Sequence, residues 1–191
     1  MKKTLFSLAL VAMFSAANLN TVSAQKMKTK EKTVMVGGAA MYPTKNIVEN
    51  AVNSKDHTTL VAAVKAAGLV ETLSSAGPFT VFAPTNAAFD KLPAGTVETL
   101  VKPENKATLT KILTYHVVAG RMTAADLTKA IKAGKGKATL KTVSGGTLTA
   151  MAKGKTIELK DEKGGVSTVT IADVLQSNGV IHVVNTVLMP Q

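Results

Sequence analysis

Two hydrophobic periods divide this chain. Between Thr44 and Ile131 apolar residues recur mainly every three or four positions, whereas beyond Ala138 they alternate with polar ones. That switch predicts short helices first and a meander of strands afterwards. Ile47, Val48, Ala51 and Val52 follow the capping residue Thr44, and Leu60, Val61, Val64 and Ala67 share one face of a helix over 58–67 that Gly68 can close. Leu69 to Leu73 adds a third short turn. Helices are expected over 96–101 and 104–113, with Pro103 between them, and Thr123 to Asp126 resembles a capping box that opens a helix through Ile131. The alternating pairs Leu140 and Thr142, Leu148 and Ala150, Ile157 and Leu159, Val169 and Ile171 mark the strands. Gly179 to Met189 is more continuously apolar and reads as a strand buried on both faces. Val34 to Pro43 is apolar but broken by Gly37-Gly38 and has no assignable period.

One strand interrupts the helical half. Gly77-Pro78 makes a turn, Phe79 to Phe82 is a β-branched and aromatic run, and Pro84 stops it. Thr85 is a good N-cap for a helix beginning at Asn86, with Ala87, Ala88, Phe89 and Leu92 as its apolar face. This turn lacks the glycines that let backbone N–H groups cradle phosphate, and its proline removes a donor.

Charge and processing signals change the picture at the N-terminus. Lys2 and Lys3, the apolar run Leu5 to Ala17 and the small residues Val22-Ser23-Ala24 read as a secretory leader over 1–24, cleaved near Ala24. The run is too short for a membrane span, which needs about 20 residues. Residues 25–43, with lysines at 26, 28, 30 and 32, read as a basic arm, and 44–191 as one folded domain. No cysteine is present, so there is neither a disulfide framework nor a lipid-modified cysteine at the cleavage site. The leader would take two lysines and no carboxylate from a chain of net charge +11, leaving +9. Such a surface attracts anionic polysaccharide or other polyanions. Only five aromatic residues, Tyr42, Phe79, Phe82, Phe89 and Tyr115, follow the leader, too few for stacking on nucleic-acid bases.

Candidate chemistry is sparse. The three histidines, His57, His116 and His182, have no metal-ligand spacing, and no catalytic cofactor, metal or nucleophile motif occurs. Lys135-Gly136-Lys137 lacks the flanking residues of a P-loop. Asp161 and Glu162 sit in a Lys/Gly turn and are expected to face solvent. His57 is expected beside a helix cap on the solvent side. His182, in an apolar strand, is expected to be a hydrogen-bonded structural residue. His116, between Leu113 and Val117-Val118, must find polar partners, and the turn at Thr85-Asn86 is the expected place.

The motif Gly77 to Leu92, the stretch Leu113-Thr114-Tyr115-His116-Val117-Val118-Ala119-Gly120 and the closing Ser177-Asn178-Gly179-Val180-Ile181-His182-Val183-Val184-Asn185 run occur in one order. Together they resemble the fasciclin (beta-Ig-H3/fasciclin) domain family, in a bacterial-type single-domain form, over about residues 44–190. The resemblance implies an α+β domain, a wedge of two β-sheets flanked by several short helices. It implies a non-enzymatic role in adhesion, through a surface protein or an extracellular matrix component as partner. It also maps two binding regions of adhesive relatives onto Tyr115-His116 and Asp173-Val174, where either Asp173 is an exposed carboxylate beside aliphatic side chains, or, the favoured arrangement, Ile171, Val174 and Leu175 pack inside while Asp173 caps a turn. Asn185 departs from the family, where an aspartate is common, so no negative charge stands there. Mutational loss of adhesion at these residues is the behaviour such a site would have.

The leader reading makes a direct prediction: intact-mass measurement of the exported protein should give an N-terminus at or near Gln25. A product that keeps Met1 to Ala24 would overturn it.

Overall fold

The computed structural model describes residues 33–191; the leader over 1–24 and the lysines up to Lys32 lie outside the described residues. The first described element corrects the boundary of the expected arm. Val34–Val36 (β1) and Ala39–Met41 (β2) pair as an antiparallel hairpin, with Val36 opposite Ala39. Gly37 and Gly38, which break the sequence pattern, form its turn at φ +57° and +77°, a region other residues enter at a cost. Val36 and Met41 are buried with Ile47 in one core cluster. The folded domain therefore includes Val34 to Met41 and does not start at Thr44.

Six α-helices and one strand lie between the hairpin and the edge strand Val117–Ala119. Ile47–Ala51 (α1) is capped by Asn46, not Thr44: Asn46 Oδ1 accepts from Glu49 N–H, and Glu49 accepts from Asn46 N–H. A 3₁₀ turn at Lys55–His57 leads into Thr58–Ala67 (α2), ended by Gly68, and Val70–Ser74 (α3) follows. Phe79–Pro84 (β3) is a strand with five of six residues buried. Asn86–Phe89 (α4), Thr96–Leu100 (α5) and Lys106–Tyr115 (α6) come next, with Pro103 opening the short 3₁₀ turn before α6. Val117–Ala119 (β4) precedes Ala124–Ala133 (α7), whose Thr123–Asp126 capping box is closed in both directions. Lys137–Lys141 (β5), Thr147–Lys153 (β6), Thr156–Lys160 (β7), Val166–Gln176 (β8) and Gly179–Val184 (β9) complete the fold. The last strand is buried along its whole length but stops at Val184, short of Met189.

The larger sheet has the order β4-β3-β9-β8-β7-β6-β5, in which β3 and β9 run parallel and every other neighbour pair is antiparallel. Its bend lies in β8. Residues 166–168 pair with β7, residues 169–176 pair with β9, and the β8–β9 register shifts twice, between Val169 and Ile171 and between Ile171 and Val174. Asp173, at φ +58°, sits in the second irregularity; such bulges bend a strand and increase its twist. The sheet thus folds into two halves, and a bridge between Val118 and Thr142 joins its far edges. This is the expected α+β wedge. One core lies between the helices and the β4-β3-β9 half, and the other joins Leu127 and Ile131 of α7 to Leu140, Leu148 and Leu159 of the meander.

The parallel β3–β9 pair is held at very close range. A Cβ at Gly179 would stand 2.2 Å from the Phe79 carbonyl oxygen, a backbone atom that cannot turn aside. Gly179→Ala should lower stability by about 3 kcal/mol or more, read from urea midpoints. The control Gly154→Ala, on an open turn at φ +61°, should lose about 1 kcal/mol. Equal midpoints would contradict the close-approach argument.

Candidate functional site

The residues marked by the sequence gather around β3, β9 and the bulge in β8, and most point inward. His116 is the C-cap of α6 and 3% exposed. Its Nδ1 donates to the Ile112 carbonyl at 2.9 Å, and its Nε2 accepts from Leu188 N–H at 3.0 Å. The expected partnership with Thr85-Asn86 is not formed. The His116 ring instead ties the end of α6 to the chain's closing segment, while its carbonyl accepts from Phe82 N–H at 2.9 Å. Burial pulls the His116 pKa down to about 4, partly offset by the Ile112 carbonyl and Asp161.

Thr85 takes the N-cap position of α4 but its hydroxyl caps nothing. Asn86 does the connecting: its Oδ1 accepts from Thr59 N–H at 3.0 Å and Thr58 Oγ at 3.2 Å, and its Nδ2 donates to the Lys55 carbonyl at 2.8 Å. The strand-to-helix turn is thereby tied to the start of α2, because an amide offers both a donor and an acceptor where a threonine hydroxyl offers one short reach.

His182 is fully buried and stacks on Phe82 with centroids 5.7 Å apart. Its Nε2 donates to the Met122 carbonyl at 2.8 Å, and its Nδ1 accepts from Asp173 N–H at 3.4 Å. Burial lowers its pKa, opposed by the Met122 carbonyl and Asp173. Asp173 is half-buried, and its Oδ1 accepts from Ala124 N–H at 2.7 Å, at the first residue of α7. A carboxylate there meets the positive end of that helix.

These placements correct the expected partner contacts. Tyr115 has no exposed surface; its hydroxyl donates to the Thr147 carbonyl at 2.7 Å and accepts from Glu162 N–H at 3.2 Å. Burial pushes its pKa up to about 12. Val174 is 1% exposed within the helical core. Tyr115, His116 and Val174 thus present nothing to a partner on the folded domain, and the Asp173 carboxylate is committed to α7. The alternation of β8 assigns Val174 to the inner face once the bulge has shifted its phase.

Two further expectations are reversed. Asp161 is buried, with Oδ1 accepting from Gly165 N–H at 2.6 Å and Oδ2 from Met189 N–H at 2.9 Å. It anchors the closing segment. His57 is 3% exposed, not on the solvent side; its Nδ1 lies 2.9 Å from Ser54 Oγ, and its Nε2 has no hydrogen-bond partner. Burial lowers its pKa, opposed by the Ala83 backbone and Asp56. Among the described residues, no group of three or more His, Cys, Asp or Glu could hold a metal ion. No described helix is long and apolar enough to cross a membrane.

The exposed chemistry lies elsewhere. Residues 127–160 carry eight lysines against one carboxylate, Glu158, whereas 33–126 carry eight basic residues against seven acidic. Pairing aligns these lysines on one face: Lys137 stands opposite Met151 and then Glu158, Thr139 opposite Thr149 and then Lys160, and Lys141 opposite Thr147. Lys137, Lys141 and Lys160 are exposed, and Lys153 on the same face pairs with Glu158 at 3.0 Å. The alternation already puts these lysines on the outward phase, a signal that an inspection confined to motifs passes over.

The fold and this arrangement define a small α+β domain with its histidines closed into the core. The fasciclin domain model matches residues 55–190. The chain is 48% identical to protein sll1483 of Synechocystis sp. over 177 residues, which cover 92% of this chain and 90% of that one. It is 38% identical to immunogenic protein MPB70 of Mycobacterium bovis over 146 residues, 72% of this chain and 65% of that protein. It is 37% identical to the transforming growth factor-beta-induced protein ig-h3 of Sus scrofa over 131 residues, 69% of this chain and 17% of that protein. Among solved structures, a FAS1 domain pair from the insect cell adhesion molecule fasciclin I matches with a TM-score of 0.68 at 18% identity, over 78% of this chain and 52% of that chain. The chain belongs to the fasciclin domain family.

The buried histidines generate a pH prediction. His57, His116 and His182 have folded pKa values below the ordinary 6.5, so between that value and about 4, the folded value of His116, the unfolded chain binds more protons. Stability is then full above about pH 6.5 and declines as pH falls, His116 alone accounting for about 3 kcal/mol. Urea midpoints from pH 7.5 to 4.5 should fall, and His116→Gln should show a shallower fall from a lower starting point. Parallel slopes would remove His116 from the account.

Proposed function

We propose that this protein is an exported, non-enzymatic adhesion domain that holds a surface protein or extracellular matrix component at the outer face of the β5–β7 sheet. The lysine face carries the reading. Lys137 and Lys141 of β5 and Lys160 of β7 stand exposed on one face, with Lys153 of β6 beside them in its pair with Glu158, and threonines between them supply hydroxyl donors and acceptors. An acidic partner gains from both without ordering a flexible loop. Membership of a family that includes an insect cell adhesion molecule supports the adhesive role. The leader over 1–24 would deliver the domain to the periplasm or beyond.

A second reading is favoured by the eight-to-one excess of lysine over carboxylate in residues 127–160: binding of anionic polysaccharide by charge alone. Salt separates the two, since a contact fixed by shape survives added salt far better than one driven by counterion release.

The mature protein is therefore tested against its native cell envelope and against alginate as a simple polyanion. Replacing Lys137, Lys141, Lys153 and Lys160 together by glutamine should weaken envelope binding about tenfold or more, while Tyr115→Phe leaves it unchanged where the fold is intact. Retention of envelope binding in about 0.5 M salt, with alginate binding lost, supports the shape-specific partner. Unaltered binding by the quadruple variant would refute the lysine face.

A further inference from the structure

A polar cleft lies at the N-terminal end of the parallel strand pair. One wall is the loop before β3, Ser74 to Pro78, another is the β8–β9 turn, Ser177 to Gly179, and Asn46 and Arg121 complete the lining. Its volume of about 520 Å³ falls within the range of about 300–1,000 Å³ usual for small-molecule sites. One buried side chain holds the walls together. Asn178 is 9% exposed; its Oδ1 accepts from Ile47 N–H at 3.1 Å, and its Nδ2 donates to the Leu73 and Ser75 carbonyls, each at 2.8 Å. The cleft is thus preformed, and a ligand need not order a loop to enter it.

Arg121 is the chain's one arginine among 23 basic residues, and it is exposed in this cleft. Its Nη2 donates to the Gln176 carbonyl at 2.6 Å and to the Gly179 carbonyl at 3.1 Å. Those two bonds use both Nη2 hydrogens and fix the guanidinium plane, so the hydrogens on Nη1 and Nε are left without a partner among the described residues. No carboxylate lines the cleft, and the one ion pair among the described residues is Lys153–Glu158. A fixed cation with spare donors and no counter-ion suits an anionic ligand. Lys45, next to Asn46 in the chain, lies over the Tyr42 ring at 5.3 Å and adds no charge to the lining. One cation balances a carboxylate better than a phosphomonoester, which carries about −1.5 to −2 charges at pH 7.

The rest of the lining describes the ligand's other groups. The Ser74 and Ser177 hydroxyls and the Asn46 Nδ2 have no partner among the described residues, the Asn46 Oδ1 being taken by Glu49 N–H; they match ligand hydroxyls, which both donate and accept. A peptide fits poorly. Ala76 and Pro78 form no deep apolar recess for its side chains, and β3 and β9 each have a neighbour on both sides, so no strand edge is open to it here. We propose that the cleft binds one uronic acid unit, a pyranose whose carboxylate pairs with Arg121 while its ring hydroxyls bond Ser74, Ser177 and Asn46. The site shares no residue with the lysine face, so either can fail without the other.

The test uses the mature protein with galacturonate, galactose and inorganic phosphate as probes, read by calorimetry and by the Arg121 Nε–H resonance. Galacturonate should bind saturably and shift that resonance, while galactose, which lacks the carboxylate, and phosphate should each bind about tenfold more weakly or worse. The methyl α-glycoside of galacturonate identifies the source: binding like the free acid assigns the end of a polysaccharide, and binding by the free acid alone assigns a free sugar acid, either pattern supporting the site. Arg121→Gln should weaken galacturonate about tenfold. Ser177→Asp, which sets a competing carboxylate at the exposed rim, should abolish binding while leaving the melting temperature near the parent's, and it decides the matter if Arg121→Gln fails to fold. The quadruple lysine-to-glutamine variant should bind galacturonate as the parent does. Absence of saturable binding, equal binding of galactose or phosphate, an unmoved Arg121 resonance, parental affinity in Ser177→Asp, or loss of binding in the quadruple variant would each overturn the proposal.

Discussion

The domain depends on one pairing, the parallel register of Phe79–Pro84 against Gly179–Val184. Its two strands come from segments about a hundred residues apart, so their contact must repay the closure of a long loop. The sequence concentrates its strongest β-formers there for that reason. Every residue of Gly179–Val184 is buried, and Phe79 faces Gly179 because any side chain at 179 would strike the Phe79 carbonyl. On one side β4 adds to β3, and on the other β8 adds to β9 and carries the chain into the second half of the wedge. The bend in β8 exists only because β9 holds its C-terminal half.

Around that central pair act two of the three buried histidines, His116 and His182, in opposite tautomers. A carbonyl can only accept, so Ile112 requires the proton of His116 on Nδ1 and Met122 requires that of His182 on Nε2. Each remaining nitrogen accepts a backbone N–H, from Leu188 and Asp173 respectively. A protonated ring would lose that acceptor and stand as an uncompensated charge in the core. Both rings are thus fully occupied with connecting segments that regular secondary structure leaves unpaired: the end of α6, the closing chain and the bulge of β8. The polar residues that look most functional in the sequence are the ones that packing uses most completely.

Legibility in the sequence follows from how local each determinant is. The bounds of α2, the capping box at Thr123–Asp126 and the alternation of the meander depend on neighbours within a few residues, and all three are readable in the chain. The hairpin at Val34–Met41 is hidden because its two glycines erase the period that would announce it. The distant partner of His116 and the burial of Asp161 are fixed by Leu188 and Met189, which no local pattern connects to them. The sequence leaves the exposure of Asp173 and Val174 open for a third reason. A bulge inserts a residue and reverses the inside-outside phase, so counting by twos along β8 fails where the strand bends.

Removing Tyr115, His116 and Val174 from the surface leaves two regions of different chemistry on the two halves of the wedge. The meander turns its lysines outward because alternation leaves them no inward position: Ala138, Leu140, Leu148, Ala150, Ile157 and Leu159 already fill the inner phase. The helical half has no comparable cationic face. Its helices of four to ten residues cover the β4-β3-β9 half in several short pieces, each ending before its ridge crosses the next. The His57 ring is buried at such a junction, where the 3₁₀ turn meets α2.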